Sequence, residues 1–414
     1  MFMHKIHGNA IVGQSGGPTS AINATLSGVI RGVKEGVHDG LIDSLYGMRH
    51  GIEGLAREEI IDLGAYFDTE DKLALLEQTP AAFLGSCRKK LPPIGDDQSY
   101  YEHLISVFRK YNIRFFFYIG GNDSMDTVAK LSEYIRTHDY EMVVLGIPKT
   151  IDNDLTETDH TPGFGSAAKY VAVTVQEIIR DCAVYFNPAV TVVEIMGRDA
   201  GWLTAASAVG RLVNGVEPDL VYLPERTFDM QAFLTDLSAV MKRRPQAVVA
   251  VSEGIRYANG QYVADDIQSK KKDAFGHAYL AGSGRVLESA IRQAFGCKVR
   301  AAELSLPQRC AAHLASFTDI QESVCIGREA VRAAGKEITG CTMIFQRHSS
   351  DPYRISIGYV DVARVANRVR TVDDRLINTV GNHVTDECCQ YILPLIAGEP
   401  KLQYEKGLPK HLIL

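Results

Sequence analysis

Short apolar runs rich in Val, Ile and Phe alternate with longer segments of helical period through most of this chain, and that alternation limits what it can fold into. Residues 10–14, 41–46, 114–119, 142–147, 191–196, 247–252 and 298–304 read as buried strands. They are almost continuously apolar, and several end in glycine or a polar turn. Segments 20–34, 100–111, 124–137, 166–186, 282–295 and 319–334 read as helices. Strands alternating with helices of that length imply βαβ units, right-handed crossovers and doubly wound, mainly parallel α/β sheets. At 414 residues the chain exceeds one ordinary core, so more than one lobe is expected. The nearest thing to a hinge is Thr161-Pro162-Gly163-Phe164-Gly165. Past residue 340 the pattern changes to two short strands, 342–346 and 354–359, and then a polar helical tail without evident chemistry.

A formal charge of −6 speaks against a nucleic-acid binder, yet a local Lys/Arg cluster can still hold a small anion. The eight cysteines form no CxxC pair and no zinc-like spacing, so they read as reduced thiols. No apolar run approaches the ~18 residues of a membrane span, and no signal peptide is evident. The expectation is a cytoplasmic protein with neither a membrane nor a nucleic acid as partner.

In open parallel sheets, ligands bind where strand ends run into helices. The first strand runs into Gln14-Ser15-Gly16-Gly17-Pro18-Thr19-Ser20. Glycines there let backbone N–H groups approach an anion at a helix N-terminus, although a plain turn with a Ser/Thr cap has the same composition. The third strand runs into Gly120-Gly121-Asn122-Asp123-Ser124, where Asp123 is either a helix-start charge or a site residue. The fourth delivers Pro148-Lys149-Thr150-Ile151-Asp152-Asn153-Asp154. A carboxylate can take the proton of a hydroxyl attacking phosphorus, and a lysine can balance phosphate charge. Further strand ends carry Met196-Gly197-Arg198 and Ser252-Glu253-Gly254, with Arg300 and Gln308-Arg309 beyond. An acid for sugar hydroxyls and several arginines suit a sugar phosphate. No P-loop, protein-kinase catalytic loop or HExxH segment is present, and the loose GxGxxA match at 163–168 follows a polar loop and reads as a helix start.

The series QSGGPTSAIN, FLGSCR, GGNDS, PKTIDND, MGRDAG, SEG and PQR resembles the phosphofructokinase family along roughly residues 8–335. The resemblance implies two Rossmann-like lobes with the active site in the cleft between them. It places a phosphoryl-donor lobe at 1–162, a sugar-phosphate lobe at 163–335 whose chain crosses back near 310–335, and a C-terminal extension at 336–414. It also implies magnesium-assisted transfer to the 1-hydroxyl of fructose 6-phosphate by a homo-oligomer, dimer or tetramer. By that resemblance Asp152 is the base and Thr150 its neighbour on the transferred group. Gly17 and Arg88 contact the donor phosphates, and Met196, Gly197, Arg198 and Glu253 hold the sugar. Arg300 and Arg309 hold its 6-phosphate.

Asp123 and Lys149 stand where ATP-using members have glycine, a combination similar to the pyrophosphate-dependent members. A carboxylate facing the α-phosphate of ATP costs roughly 4 kcal/mol at about 4 Å and an effective dielectric of about 20, on the order of a thousandfold in affinity. The other possibility is that Asp123 only caps a helix and Lys149 points to solvent. Asn122 stands where the family has a magnesium-linked aspartate, so metal ligation is expected at Asn122 and Asp154, or shifted toward Asp123. Ala189 replaces an arginine that reaches a neighbouring subunit in many bacterial members. Leu306 replaces the His or Tyr that commonly precedes QR in the sugar site. The expected reaction is reversible transfer from pyrophosphate, with ATP as the alternative donor and a non-catalytic sugar-phosphate sensor as the alternative class.

Overall fold

The computed structural model describes residues 5–266 and 282–414; residues 1–4 and 267–281, which fall inside the two lobes expected from the sequence, lie outside the described residues. Eleven strands carry the architecture: β1 (Gly8–Gln14), β2 (Ile42–Met48), β3 (Ile60–Asp62), β4 (Ile113–Gly120), β5 (Val143–Pro148), β6 (Ala189–Ile195), β7 (Leu220–Tyr222), β8 (Gln246–Ser252), β9 (Lys298–Glu303), β10 (Cys341–Ser350) and β11 (Tyr353–Asp361). One sheet has the order β11-β10-β5-β4-β1-β2-β3 and a second the order β7-β8-β6-β9. All pairs are parallel except the two at the rims of the first sheet, β10–β11 and β2–β3. The α/β expectation holds.

The reason is visible in β4. Phe115, Phe117 and Ile119 enter one core while Phe116 and Tyr118 enter the core on the opposite face. A strand covered on both faces must be apolar at every position, which is why these runs show no alternation. Every strand expected from the sequence is present, as is every helix expected before residue 340, with ends shifted by a few residues. The three-residue β3 and β7 are too short to leave a periodic signal. The helix Met230–Met241 was readable, since Asp229 caps it by accepting the Ala232 N–H at 2.7 Å.

In the first sheet the chain winds outward in both directions from the central β1; in the second it passes from β6 to the edge strand β7, returns to β8 beside β6 and ends on β9 at the other edge. The helix Phe317–Gly335 returns the chain to the first sheet by crossing Ile22–Lys34. Gly28 and Gly327 make the crossing possible: a Cβ on either would lie 2.0 or 2.2 Å from the other helix's backbone oxygen.

The last part of the chain differs from its reading as an extension with a helical tail. β10 pairs in parallel with β5 and completes the first sheet, while Val372, Leu376, Val384, Cys388 and Leu395 enter the core beside the second sheet. The tail is mostly irregular, with the seven-residue helix Asp386–Ile392 as its longest element. Its apolar residues are spaced to fit another lobe rather than a helix period, and that partner cannot be seen locally.

Candidate active site

The carboxyl ends of both sheets open on one cleft of about 440 Å³. On the first sheet, Gly16 takes a φ of +78° so that its N–H can donate to the Cys87 carbonyl at 3.1 Å, and Ser86 donates back to the Gly16 carbonyl at 2.6 Å. These bonds pin the Arg88 loop onto the Gly16–Gly17 turn. Thr19 also caps the helix Ile22–Lys34, accepting N–H groups from Ala21 and Ile22 at 3.2 and 2.9 Å. The turn is therefore both a capped helix start and a cradle lined by Gly16 and Gly17. The GxGxxA match at 163–168 is a helix start whose Gly163 and Ser166 N–H groups are taken at 2.9 Å by the buried Asp319 carboxylate. That terminus is closed to an anion.

Lys149 does not point to solvent. It is 2% exposed, and its Nζ donates to the Gly17 carbonyl at 2.6 Å. Burial lowers its pKa to about 8, against the pull of Asp152 and Asp154 and with the push of Arg88 and Arg309. Asp123 also lines the cleft, paired with Lys90 at 2.8 Å.

The turn after β5 orders its own acids. Thr150 Oγ1 accepts the Asp152 N–H at 3.1 Å. Between Asp152 and Asp154, Asn153 adopts φ 55°, the left-handed region that asparagine tolerates, and donates from the core to the Tyr391 hydroxyl at 2.9 Å. That bond is a structural reason for the middle Asn of IDND. Burial raises the Asp152 pKa, opposed chiefly by Arg198 and Lys149. Asp154 is pushed up to about 7, first by burial and then by Asp152.

On the second sheet the motifs hold each other. Ser252 donates to the Gly197 carbonyl, and Glu253 accepts the Gly197 N–H at 3.3 Å. A Cβ on Gly254 would stand 1.9 Å from the Arg198 carbonyl oxygen. Gln308 accepts the Met196 N–H at 3.2 Å. MGR, SEG and PQR thus form one interlocked turn with Met196, Arg198 and Glu253 facing the cleft. Burial pushes Glu253 up to about 8.

The cleft brings together Gly17, Arg88, Asn122, Asp123, Lys149, Thr150, Asp152, Asp154, Met196, Arg198, Glu253 and Arg309. It does not include Gly197, whose N–H and carbonyl are taken by Glu253 and Ser252, Arg300, exposed on the edge strand β9, or Leu306, 53% exposed. Arg309, assigned by resemblance to the sugar's 6-phosphate, stands against the Gly16–Gly17 turn, where a Cβ on Gly17 would lie 3.6 Å from its guanidinium. Asn122, expected as a metal ligand, is committed otherwise: its Oδ1 accepts the Asn367 N–H and its Nδ2 donates to the Arg368 carbonyl.

Sequence reasoning missed Lys90, Asp199, Asn367 and Val369, all of which line the cleft. Asp199 lies inside MGRDAG, and Lys90 follows two residues after FLGSCR. Asn367 and Val369 carry no local signal at all.

Comparisons with known proteins agree with one another. The family model described as Phosphofructokinase matches residues 9–303. A pyrophosphate--fructose 6-phosphate 1-phosphotransferase of Xanthomonas campestris pv. campestris (strain B100) is 40% identical over 411 residues, 99% of this chain and 96% of that protein. A protein of the same name from Halomonas elongata is 40% identical over 97% of this chain and 95% of its own. The crystal structure of a pyrophosphate-dependent phosphofructokinase from Nitrosospira multiformis matches with a TM-score of 0.88 at 34% identity, covering 98% of this chain and 96% of that one.

Proposed function

This chain belongs to the phosphofructokinase family, and we propose that it transfers a phosphoryl group reversibly from pyrophosphate to the 1-hydroxyl of fructose 6-phosphate, giving fructose 1,6-bisphosphate and orthophosphate. The observation that carries this reading is the buried Lys149, held on the Gly17 carbonyl between the donor turn and the two acids of the reacting turn. Asp152 takes the proton of the attacking hydroxyl. Its raised pKa makes it a stronger base than a free carboxylate, while Arg198 and Lys149 favour its ionised form. Arg198, Met196 and Glu253 orient the sugar so that the hydroxyl faces the donor. Lys149, Arg88 and Arg309 spread the charge that moves onto the leaving phosphate. Two phosphoryl bonds of comparable free energy are exchanged, so the reaction runs in either direction.

The residues present fit magnesium. Asp154 is a carboxylate in the cleft whose ionisation is suppressed by burial and by Asp152, and a cation relieves both. Among the described residues no three acidic, imidazole or thiol groups form a complete cage, in keeping with an ion that takes one or two carboxylates and fills its shell with water and substrate phosphate. Asp154 would hold it, and bound magnesium would neutralise phosphate charge.

The working form is a homo-oligomer, dimer or tetramer. Val184, Tyr185 and Phe186 are 68, 54 and 96% exposed as one apolar run, and Arg300, outside the cleft of its own chain, is free in position to serve a neighbouring one. A cytoplasmic location suits eight free thiols; no described helix is long and apolar enough to cross a membrane. Turnover of the purified enzyme with each donor tests the reading: pyrophosphate supports rapid turnover and ATP little. Efficient use of ATP without pyrophosphate would overturn it.

A further inference from the structure

Residues 367–370 cross the donor end of the cleft as a strap, and no step of the reaction above uses them. Asn122 holds the strap at both polarities, accepting from the Asn367 N–H and donating to the Arg368 carbonyl. An aspartate at 122 could make the first bond, but it would face the second carbonyl with no proton to donate. Asn367 takes a left-handed φ of 59° and donates its own side-chain amide to Asp126 at 2.9 Å. Asp126 is fixed in turn by Lys130 at 2.7 Å. Beyond the crossing, the Arg370 N–H donates to the Asp154 carbonyl at 2.7 Å. The Arg370 guanidinium reaches the Thr158 carbonyl at 3.1 Å and the Tyr391 hydroxyl at 3.2 Å. The strap is thus tied to the helix Asn122–Arg136 that follows β4 and to the loop that carries Asp152 and Asp154.

Asn367 and Val369 form part of the cleft wall beside Asn122 and Asp123. A second cavity of about 770 Å³ adjoins the cleft at Val369, the one lining residue they share, and Arg370 lines it as well. Space for a longer ligand therefore exists on the other side of Val369.

We infer that the strap is a length gauge for the phosphoryl donor: it walls the site behind a diphosphate and turns away linear tripolyphosphate and nucleoside triphosphates. The inference rests on the diphosphate reading above and adds a steric element to the charge of Asp123. Asn122 and Asn367 are then positioning residues that act through the strap, and Val369 is the part of the wall a longer donor meets.

The test compares kcat/KM for pyrophosphate, linear tripolyphosphate and ATP in the full-length parent, Asn122→Ala and Val369→Gly. Val369 is 48% exposed, so its variant keeps the test alive should Asn122→Ala not fold. Each folded variant is expected to raise the tripolyphosphate-to-pyrophosphate ratio at least tenfold, with the KM for fructose 6-phosphate within twofold of the parent. A ratio within twofold of the parent's in an enzyme that uses pyrophosphate overturns the gauge and leaves the diphosphate reading standing. A parent that turns over ATP but not pyrophosphate overturns both.

Discussion

The two banks of the cleft are built by different means. On the sugar bank, three short motifs from neighbouring strand ends bind one another: the Ser252, Glu253 and Gln308 side chains hold the backbone of Met196 and Gly197, beside glycines that allow close approach. On the donor bank, the glycine turns are set by local bonds, but the wall is completed by side chains that reach across from far along the chain. A bank whose parts interlock at adjoining strand ends fixes where a substrate lies. A bank closed by one distant segment can change which substrate enters with few substitutions. Acceptor identity should therefore resist point mutation more than donor identity.

The largest expected effect lies where the banks meet. Asp152→Asn keeps the turn's shape and removes the proposed base, so kcat should fall by roughly 10²–10⁴ while KM for both substrates changes little. Activity equal to the parent's would remove Asp152 from the chemistry.

Gly254→Ala breaks the sugar bank alone. Its Cβ would meet the Arg198 carbonyl at 1.9 Å, and overpacking of this kind typically costs about 1–3 kcal/mol. Thermal unfolding and steady-state kinetics should show a less stable enzyme with a raised KM for fructose 6-phosphate and an almost unchanged KM for pyrophosphate. Equal damage to both KM values would mean that the banks are not separable.

The smallest effect belongs to the strut behind the reacting turn. His160 is buried, stacked on Phe345 and hydrogen-bonded to Asp159 at 2.8 Å and Glu322 at 2.7 Å. Burial alone would lower its pKa, but the two carboxylates outweigh it and hold the imidazole above its ordinary 6.5. Its contribution to stability is therefore complete below pH 6.5 and lost as pH rises through the raised value. Thermal melts from pH 6 to 9 should fall more steeply for the parent than for His160→Gln. Parallel curves would assign the pH dependence elsewhere.

How much of this was legible follows from where each signal sits. Buried parallel strands announce themselves by continuous apolar runs, and the turns after β1, β4 and β5 carry their glycines, lysine and acids within a few residues. The sugar bank was readable because each of its parts is a motif, although Gln308 was quoted without a role and proved to hold Met196. Asn122 shows the limit. As a departure from the family's aspartate it pointed to altered metal binding, while its actual partners lie at 367 and 368, in a segment with no periodicity of its own. The pairing of β10 with β5 was hidden for the same reason, because a parallel edge is specified by the strand it joins.

That pairing has a consequence for how the protein is made. β5 leaves the ribosome as the outer strand of a parallel sheet, and the strand that covers it follows roughly 190 residues later. At about 5–20 residues per second, the nascent chain carries an open, apolar edge for on the order of 10–40 seconds. Such edges recruit other chains. The reacting turn hangs from that same strand, so the enzyme's most exposed moment during synthesis falls on the element its chemistry depends on.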